Sequence, residues 1–311
     1  MDLTRRDLLR IGSTALVGAA AVPIGHLGKA LSSLKAPVSR KPKVEVHFTG
    51  KHAFSKLMAQ AEAEEWARMP MGDLMAKVGM FFLDTPYVSY TLDHSADHEF
   101  CLVNLQELDC VTFVESTLAI SRVIKSGKGG ARALPKEIEL IRYRNGECDG
   151  FCSRLHYLSD WLYDNERKGL LSLYAKDVPG AVAIKEQVSL MSSRPELYLQ
   201  LRKHPEWVPE IKKDEEAIDK RTYYMIPKDK VKAAEPLMQT GDIVGITTSA
   251  SILDCAHTGL CYRDEKGLLH FLHASSKHQK VYLDQELCDY LDSVHAFTGV
   301  MLARPVAPSG T

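Results

Sequence analysis

The chain lacks an excess of either charge: its 311 residues hold 39 Lys and Arg against 40 Asp and Glu, a formal net charge of −1. Without a global positive field, nucleic acid is not an expected partner. Gly and Pro number only 20 and 14, which excludes a collagen-like or low-complexity chain. No self-similar period of about 20–50 residues recurs, so a solenoid is excluded as well. Aromatic residues make up 8%, and no cysteine pair has the C-x2-C spacing typical of structural zinc sites. Beyond the first thirty-odd residues no apolar run is long enough to cross a bilayer. What remains is an ordinary globular composition, 45% hydrophobic, with length enough for a large buried core.

The N-terminal stretch stands apart. Thr4-Arg5-Arg6-Asp7-Leu8-Leu9-Arg10 puts paired arginines before leucines, and residues 11–28 then carry no Lys, Arg, Asp or Glu. This is the pattern of a twin-arginine export signal, with an uncleaved anchor as the alternative. Residues 1–35 are expected to be removed, leaving 36–311 as one domain outside the cytoplasm, in the periplasm, without a stable membrane span. Seven cysteines, at 101, 110, 148, 152, 255, 261 and 288, cannot all pair within one chain. If one is a free nucleophile, six remain for up to three disulfides, whose connectivity stays open; unpaired buried thiols are the other reading.

Periodicity divides the chain. Helical spacing is found over residues 54–69, 72–82, 109–124 and 154–165, and a charged, helix-forming stretch over 189–219. Residues 138–143 read as a short strand. From residue 243 onward, short apolar runs at 243–247, 258–262, 268–273, 281–283 and 297–303 alternate with turn residues, the signature of an antiparallel sheet. The expected fold class is α+β.

Two places carry chemistry. Asp109-Cys110-Val111-Thr112 opens a helix, where exposed N–H groups and a partial positive charge favour a thiolate and lower its pKa from about 8.5. A buried structural cysteine would look the same in isolation. The second place is the pair His257 and His273. A five-residue loop over 263–267 pairs Tyr262 with Leu268 and sets His257 directly opposite His273 on one face of a hairpin, so that one ring can orient the other. That is the base and orienter a cysteine nucleophile requires.

The order Pro86-Tyr87-Val88, Asp109-Cys110, Gly241-Asp242-Ile243-Val244, His257-Thr258-Gly259-Leu260 and Leu272-His273-Ala274-Ser275 resembles the NlpC-type cell-wall cysteine hydrolases, a papain-like group, and within it the N-acetylmuramoyl-L-alanine amidase-like branch. Asn104-Leu105 and Arg154-Leu155-His156-Tyr157 with Asp160-Trp161 extend the likeness. The resemblance implies a papain-like core in which the nucleophile-bearing helix packs on the C-terminal antiparallel sheet. It implies Cys110 as nucleophile, His257 as general base and His273 as orienter. Tyr87, Asn104, Asp109, Arg154 and His156 are then the candidates for binding the oxyanion or substrate, with no cofactor and no metal. Peptidoglycan or its muropeptides would be the partner, cut at the amide between N-acetylmuramic acid and L-alanine or at the γ-D-glutamyl bond. The compact family core sets cysteine and histidine much closer together than positions 110 and 257, so residues 125–235 are expected to form a helical insertion that walls the groove.

Two rivals come from other classes. Cys148, Cys152 and His156 with Cys255, His257 and Cys261 would make a zinc site in a metal-dependent amidase, and a non-catalytic wall-binding module could keep the same fold. The export signal yields a first test: replacing Arg5 and Arg6 together by Lys should retain the protein in the cytoplasm, as measured by cell fractionation, and normal delivery would remove the twin-arginine reading.

Overall fold

The computed structural model describes residues 45–127, 130 and 132–309; the expected export signal, residues 1–35, lies outside them. Helices of ten or more residues are α1 (Lys51–Ala63), α2 (Met71–Phe81), α3 (Cys110–Ser126), α4 (Ala133–Arg142), α5 (Leu158–Arg167) and α6 (Val208–Asp219). Strands are β1 (Val46–Thr49), β2 (Cys101–Asn104), β3 (Leu171–Leu173), β4 (Val182–Ile184), β5 (Tyr223–Pro227), β6 (Ile243–Thr248), β7 (Cys255–Arg263), β8 (Leu269–Ser275), β9 (Lys280–Glu286) and β10 (Phe297–Pro305). The architecture is α+β. β1 and β2 form a small parallel pair, and the other eight strands form one sheet in the order β4-β5-β10-β6-β7-β8-β9, with β3 also paired to β10.

Alternation along the central strands gives the sheet two apolar faces. Leu260 and Leu272 join Phe113, Leu118 and Val78 of α3 and α2 in one core. Cys261 and Phe271, one residue out of phase, join Leu287 and Leu291 of the short helix Leu287–Asp292 in another. The larger helices therefore cover one face and short helices the other. A glycine contact locks α2 to the sheet. Gly241 adopts φ +83°, and a Cβ there would lie 1.9 Å from the Gly72 carbonyl oxygen. Its N–H donates to the Cys261 carbonyl at 2.8 Å, so the turn that starts β6 is fixed to α2 and β7 at once.

Residues 138–142 are not a strand but the end of α4, and only Tyr143 is extended, in an isolated antiparallel bridge with Arg154. Leu134, Ile138 and Ile141, all fully buried, follow helical spacing, and the short window read earlier was too brief to separate that period from alternation. The segment 125–235 is less helical than expected, because it also supplies β3, β4 and β5. Runs of three residues are too short for alternation to show.

The β7–β8 hairpin also differs from the sequence reading. Its loop is five residues as expected but lies one position further along, Asp264 to Leu268, between the paired Arg263 and Leu269. Asp264 Oδ1 accepts from the Lys266 and Leu268 N–H groups at 2.9 and 2.8 Å, and Gly267 takes φ +81°, the left-handed position that closes this hairpin type. The pairs are Cys261 with Phe271 and Tyr262 with His270. The register thus slides by two residues, and His273 lies diagonal to His257 rather than opposite. A slip of two preserves the face.

The glycine geometry can be tested. Gly241→Ala, strained in φ and in steric conflict with the backbone of α2, should lower stability by at least about 2 kcal/mol in urea denaturation. Gly267→Ala, strained in φ but with open space around it, should cost only about 1 kcal/mol.

Candidate active site

The sequence around Cys110 builds its helix terminus. Asp109 is the N-cap: its Oδ1 accepts from the Thr112 N–H at 2.8 Å, while the Asp109 N–H donates to Thr112 Oγ1 at 2.9 Å. This reciprocal box, worth about 1 kcal/mol, places Cys110 at the first helical position. Asp109 Oδ2 accepts from Thr91 Oγ1 at 2.9 Å. Both carboxylate oxygens of Asp109 are thus engaged in structure, a different task from the substrate contact expected of it. One turn further in, the buried Glu115 pairs with Arg142 of α4 at 2.7 Å, and Arg142 also donates to the Leu102 carbonyl of β2. The nucleophile helix is held at its tip by the cap and along its side by this pair.

The strands deliver the histidines. β6 pairs Ile246 with His257 but Thr247 with Cys255, so Ala256 is an extra residue, a bulge immediately before His257. Bulges re-aim the side chains beside them. His257 Nε2 lies 2.6 Å from His273 Nδ1. Phe271 stacks on His273 with ring centres 4.5 Å apart, and Tyr290 lies 5.0 Å from the same ring. Beyond His273 is a residue that the sequence reading missed: Asp284, whose Oδ2 is 3.3 Å from His273 Nε2. The apolar run at 281–283 ended one residue short of it, and only the strand register turns it toward the histidine.

A cavity of about 170 Å³ is shared by Cys110 and His257. Its lining includes Cys110 and Val111 from α3, Leu253 to Thr258 from the start of β7, and His156, Tyr157, Leu158, Met191 and Tyr198 from the inserted segment. The segment between Cys110 and His257 thus contributes one wall of the cavity. His156 Nε2 is 2.9 Å from the Phe151 carbonyl, which leaves Nδ1 as the ring's remaining acceptor. Tyr87 stands beside Leu108 in a parallel bridge, close enough for its phenol to sense the charge on Cys110. Asn104 and Arg154 do not line the cavity. Asn104 Oδ1 accepts from the Gln106 and Glu107 N–H groups in a turn, and the buried Arg154 approaches Glu99 at 3.3 Å and Asp93 at 3.7 Å.

The cysteines are all free thiols, so none of the three allowed disulfides is formed. Of the zinc reading, His156, Cys255 and His257 share the cavity, whereas Cys152 lines a separate one with Glu210 and Asp214. Among the described residues no group of three or more His, Cys, Asp or Glu is arranged to hold a metal ion.

Electrostatics reverses one expectation. Burial, with the Asp109 carboxylate adding to it, pushes the Cys110 thiol up to about 12, although the N–H groups of Thr258, Val111 and Cys110 face the sulfur and work the other way. Desolvation outweighs the helix terminus. Burial also holds His257 well below its ordinary 6.5, with His273 as the next cause. His273 is lowered by burial against the pull of Asp284, and His156 by burial and then Arg154. At neutral pH the site is an uncharged thiol beside an uncharged imidazole.

The site thus sets a buried thiol at a capped helix terminus in the same cavity as a histidine that contacts a second histidine, within an α+β fold. The comparisons narrow the class. Residues 77–299 match the family model AmiA-like, described as N-acetylmuramoyl-L-alanine amidase-like, and the chain belongs to that family. It is similar to the crystal structure of an N-acetylmuramoyl-L-alanine amidase from Bacteroides uniformis, at 34% identity and TM-score 0.70 over 76% of this chain and 99% of that one. A Bacteroides fragilis structure provisionally named a xylanase is 37% identical, with TM-score 0.69 over 74% of this chain and 99% of that one. Protein LPG0564 from Legionella pneumophila shares the fold at 19% identity and TM-score 0.61, over 82% and 96% of the two chains. No curated protein matches.

The thiol's elevated pKa has a direct readout. Below its pKa the thiolate fraction grows tenfold per pH unit, so alkylation of Cys110 by iodoacetamide should be slow at pH 7 and rise about tenfold per unit up to about pH 10. The mass of the Cys110 peptide follows the reaction. A rate that is fast and flat from pH 7 would show a preformed thiolate instead.

Proposed function

We propose that the protein is a peptidoglycan amidase with a papain-like core, cleaving the amide between N-acetylmuramic acid and L-alanine through Cys110, His257 and His273. The observation that carries this reading is the 2.6 Å contact between His257 Nε2 and His273 Nδ1, in a site where His257 shares its cavity with Cys110. Family membership and the amidase name of a neighbour with 34% identity favour that bond over the γ-D-glutamyl one. The N-terminal Arg pair fits delivery to the compartment that holds peptidoglycan.

The chemistry follows from the neutral resting pair. As the Cys110 sulfur attacks the carbonyl carbon, its proton passes to His257; the oxyanion that forms is placed to accept from backbone N–H groups at the start of α3, with Tyr87 nearby. Protonated His257 then gives that proton to the leaving amine as the C–N bond breaks. A water, deprotonated by His257, attacks the thioester, and the proton returns to sulfur as the acid leaves. Low dielectric around the site strengthens the transient thiolate–imidazolium attraction. That gain offsets the desolvation that keeps both groups neutral at rest.

A glycosidase reading, which the xylanase name invites, finds no support in the cavity. Glycoside hydrolysis needs two facing carboxylates. Asp254 is the one carboxylate in the lining, and its two oxygens accept from the Ser159 and Cys255 N–H groups at 2.6 and 2.7 Å.

Turnover of a muropeptide, with products identified by mass, tests the proposal. Cys110→Ala should abolish cleavage, and His257→Ala should lower kcat by at least about 1,000-fold, since the thiol loses its base. Because these residues act as a unit, the double variant should be no worse than Cys110→Ala alone. Undiminished cleavage by His257→Ala would sink the mechanism.

A further inference from the structure

We infer that Asp284, acting through His273, determines which nitrogen of His257 serves as the base. The argument is a chain of donors and acceptors. An ionised carboxylate only accepts, and the hydrogen bonds from His273 and the Gln285 N–H hold Asp284 ionised against the cost of burial. His273 must therefore carry its proton on Nε2, the nitrogen 3.3 Å from Asp284 Oδ2. A neutral imidazole protonated on Nε2 has a lone pair on Nδ1, so His273 accepts at Nδ1. His257 must then donate from Nε2 across the 2.6 Å contact, which leaves His257 Nδ1 bare. The nitrogen free to take the thiol proton is assigned two residues away from the base.

The carboxylate is aimed by a second bulge. β8 pairs His270 with Glu286 but Leu272 with Leu283, so β9 holds one residue more than β8 across this step. The Gln285 N–H, released from the ladder there, donates to Asp284 Oδ1 at 2.8 Å. One oxygen of Asp284 is thus pinned to a donor, and the other is presented to His273. His278 Nε2 approaches the same Oδ2 at 3.6 Å, and Tyr290 senses the charge from the helix that packs on β9. His257 senses the same charge from beyond His273, and the His270 ring lies beside it, its Nδ1 3.1 Å from the Asp284 carbonyl oxygen.

This arrangement makes an unusual demand on substitutions. In Asp284→Asn only the amide oxygen can accept from Gln285, so the NH2 group must face His273. The whole chain then inverts: His273 accepts at Nε2 and donates from Nδ1, His257 accepts at Nε2, and its proton moves to Nδ1, where it blocks the base. Asp284→Ala imposes no direction and leaves a mixture of ring forms. The isosteric change should therefore be worse than the truncation, the reverse of what a purely structural role would give.

On a muropeptide, Asp284→Ala should lose about 10-fold in kcat and Asp284→Asn at least about 100-fold, with KM within about twofold in both. Nitrogen-15 shifts of the His257 ring in the intact chain, assigned against His257→Ala, should show Nδ1 unprotonated in the native protein and protonated in Asp284→Asn. A native ring protonated on Nδ1 overturns the inference without any variant, and so does an Asn variant at least as active as the Ala one. The kinetic arm rests on the proposed cysteine mechanism. If Cys110→Ala retained its turnover, that mechanism would fail while the ring assignment stood.

Discussion

Desolvation of the thiol–imidazole pair is the constraint from which the rest of the site follows. Cys110 and His257 face a small cavity and are otherwise surrounded by protein, so charge on either is costly. Each neighbouring feature can be understood as managing that cost. The capping box offers the sulfur N–H groups without a mobile side chain. Phe271 and Tyr290 hold the two imidazole rings by their faces and edges, and such packing fixes ring planes without supplying charge. The carboxylate of Asp284 stands one histidine further out, where it can polarise the pair without ion-pairing with His257 directly.

The long segment between Cys110 and His257 contributes to the structure in two ways. Its strands β3, β4 and β5 extend the sheet, and its loops and helices contribute His156, Tyr157, Met191 and Tyr198 to the cavity wall. Tyr157 is itself anchored, donating to the buried Glu215 at 2.6 Å. The cavity wall is therefore built by a segment whose folding is tied to the core. The 19% identity to the Legionella pneumophila structure shows that this scaffold persists when most residues change.

Much of this was legible in the sequence. The helical spacing that begins at residue 109 places Cys110 at a helix start with no tertiary information, and the capping box is what the structure adds. The two histidines were assigned to one face correctly although the loop was misjudged, because an error of two residues leaves strand parity intact. What escaped was set by register and by context. Asp284 is unremarkable as a polar residue at the end of a strand until a bulge turns it inward. Ile138 and Ile141 carry too few residues to distinguish helix from strand in isolation. The thiol's ionisation was judged from the helix terminus alone, since nothing in the sequence measures how much protein surrounds the sulfur.

The two bulges have a consequence for how such a site drifts over time. Gln285 is solvent-exposed and serves through its backbone N–H, so almost any side chain would suffice there, whereas Ala256, though exposed, also lines the cavity. Their number is another matter. Deleting Ala256 or Gln285 would shift the following strand by one residue and turn His257 or Asp284 to the opposite face of the sheet. The information that aims these side chains is stored as a count of residues rather than as their identity. Substitutions at Gln285 can accumulate silently, while insertions and deletions at either bulge cannot.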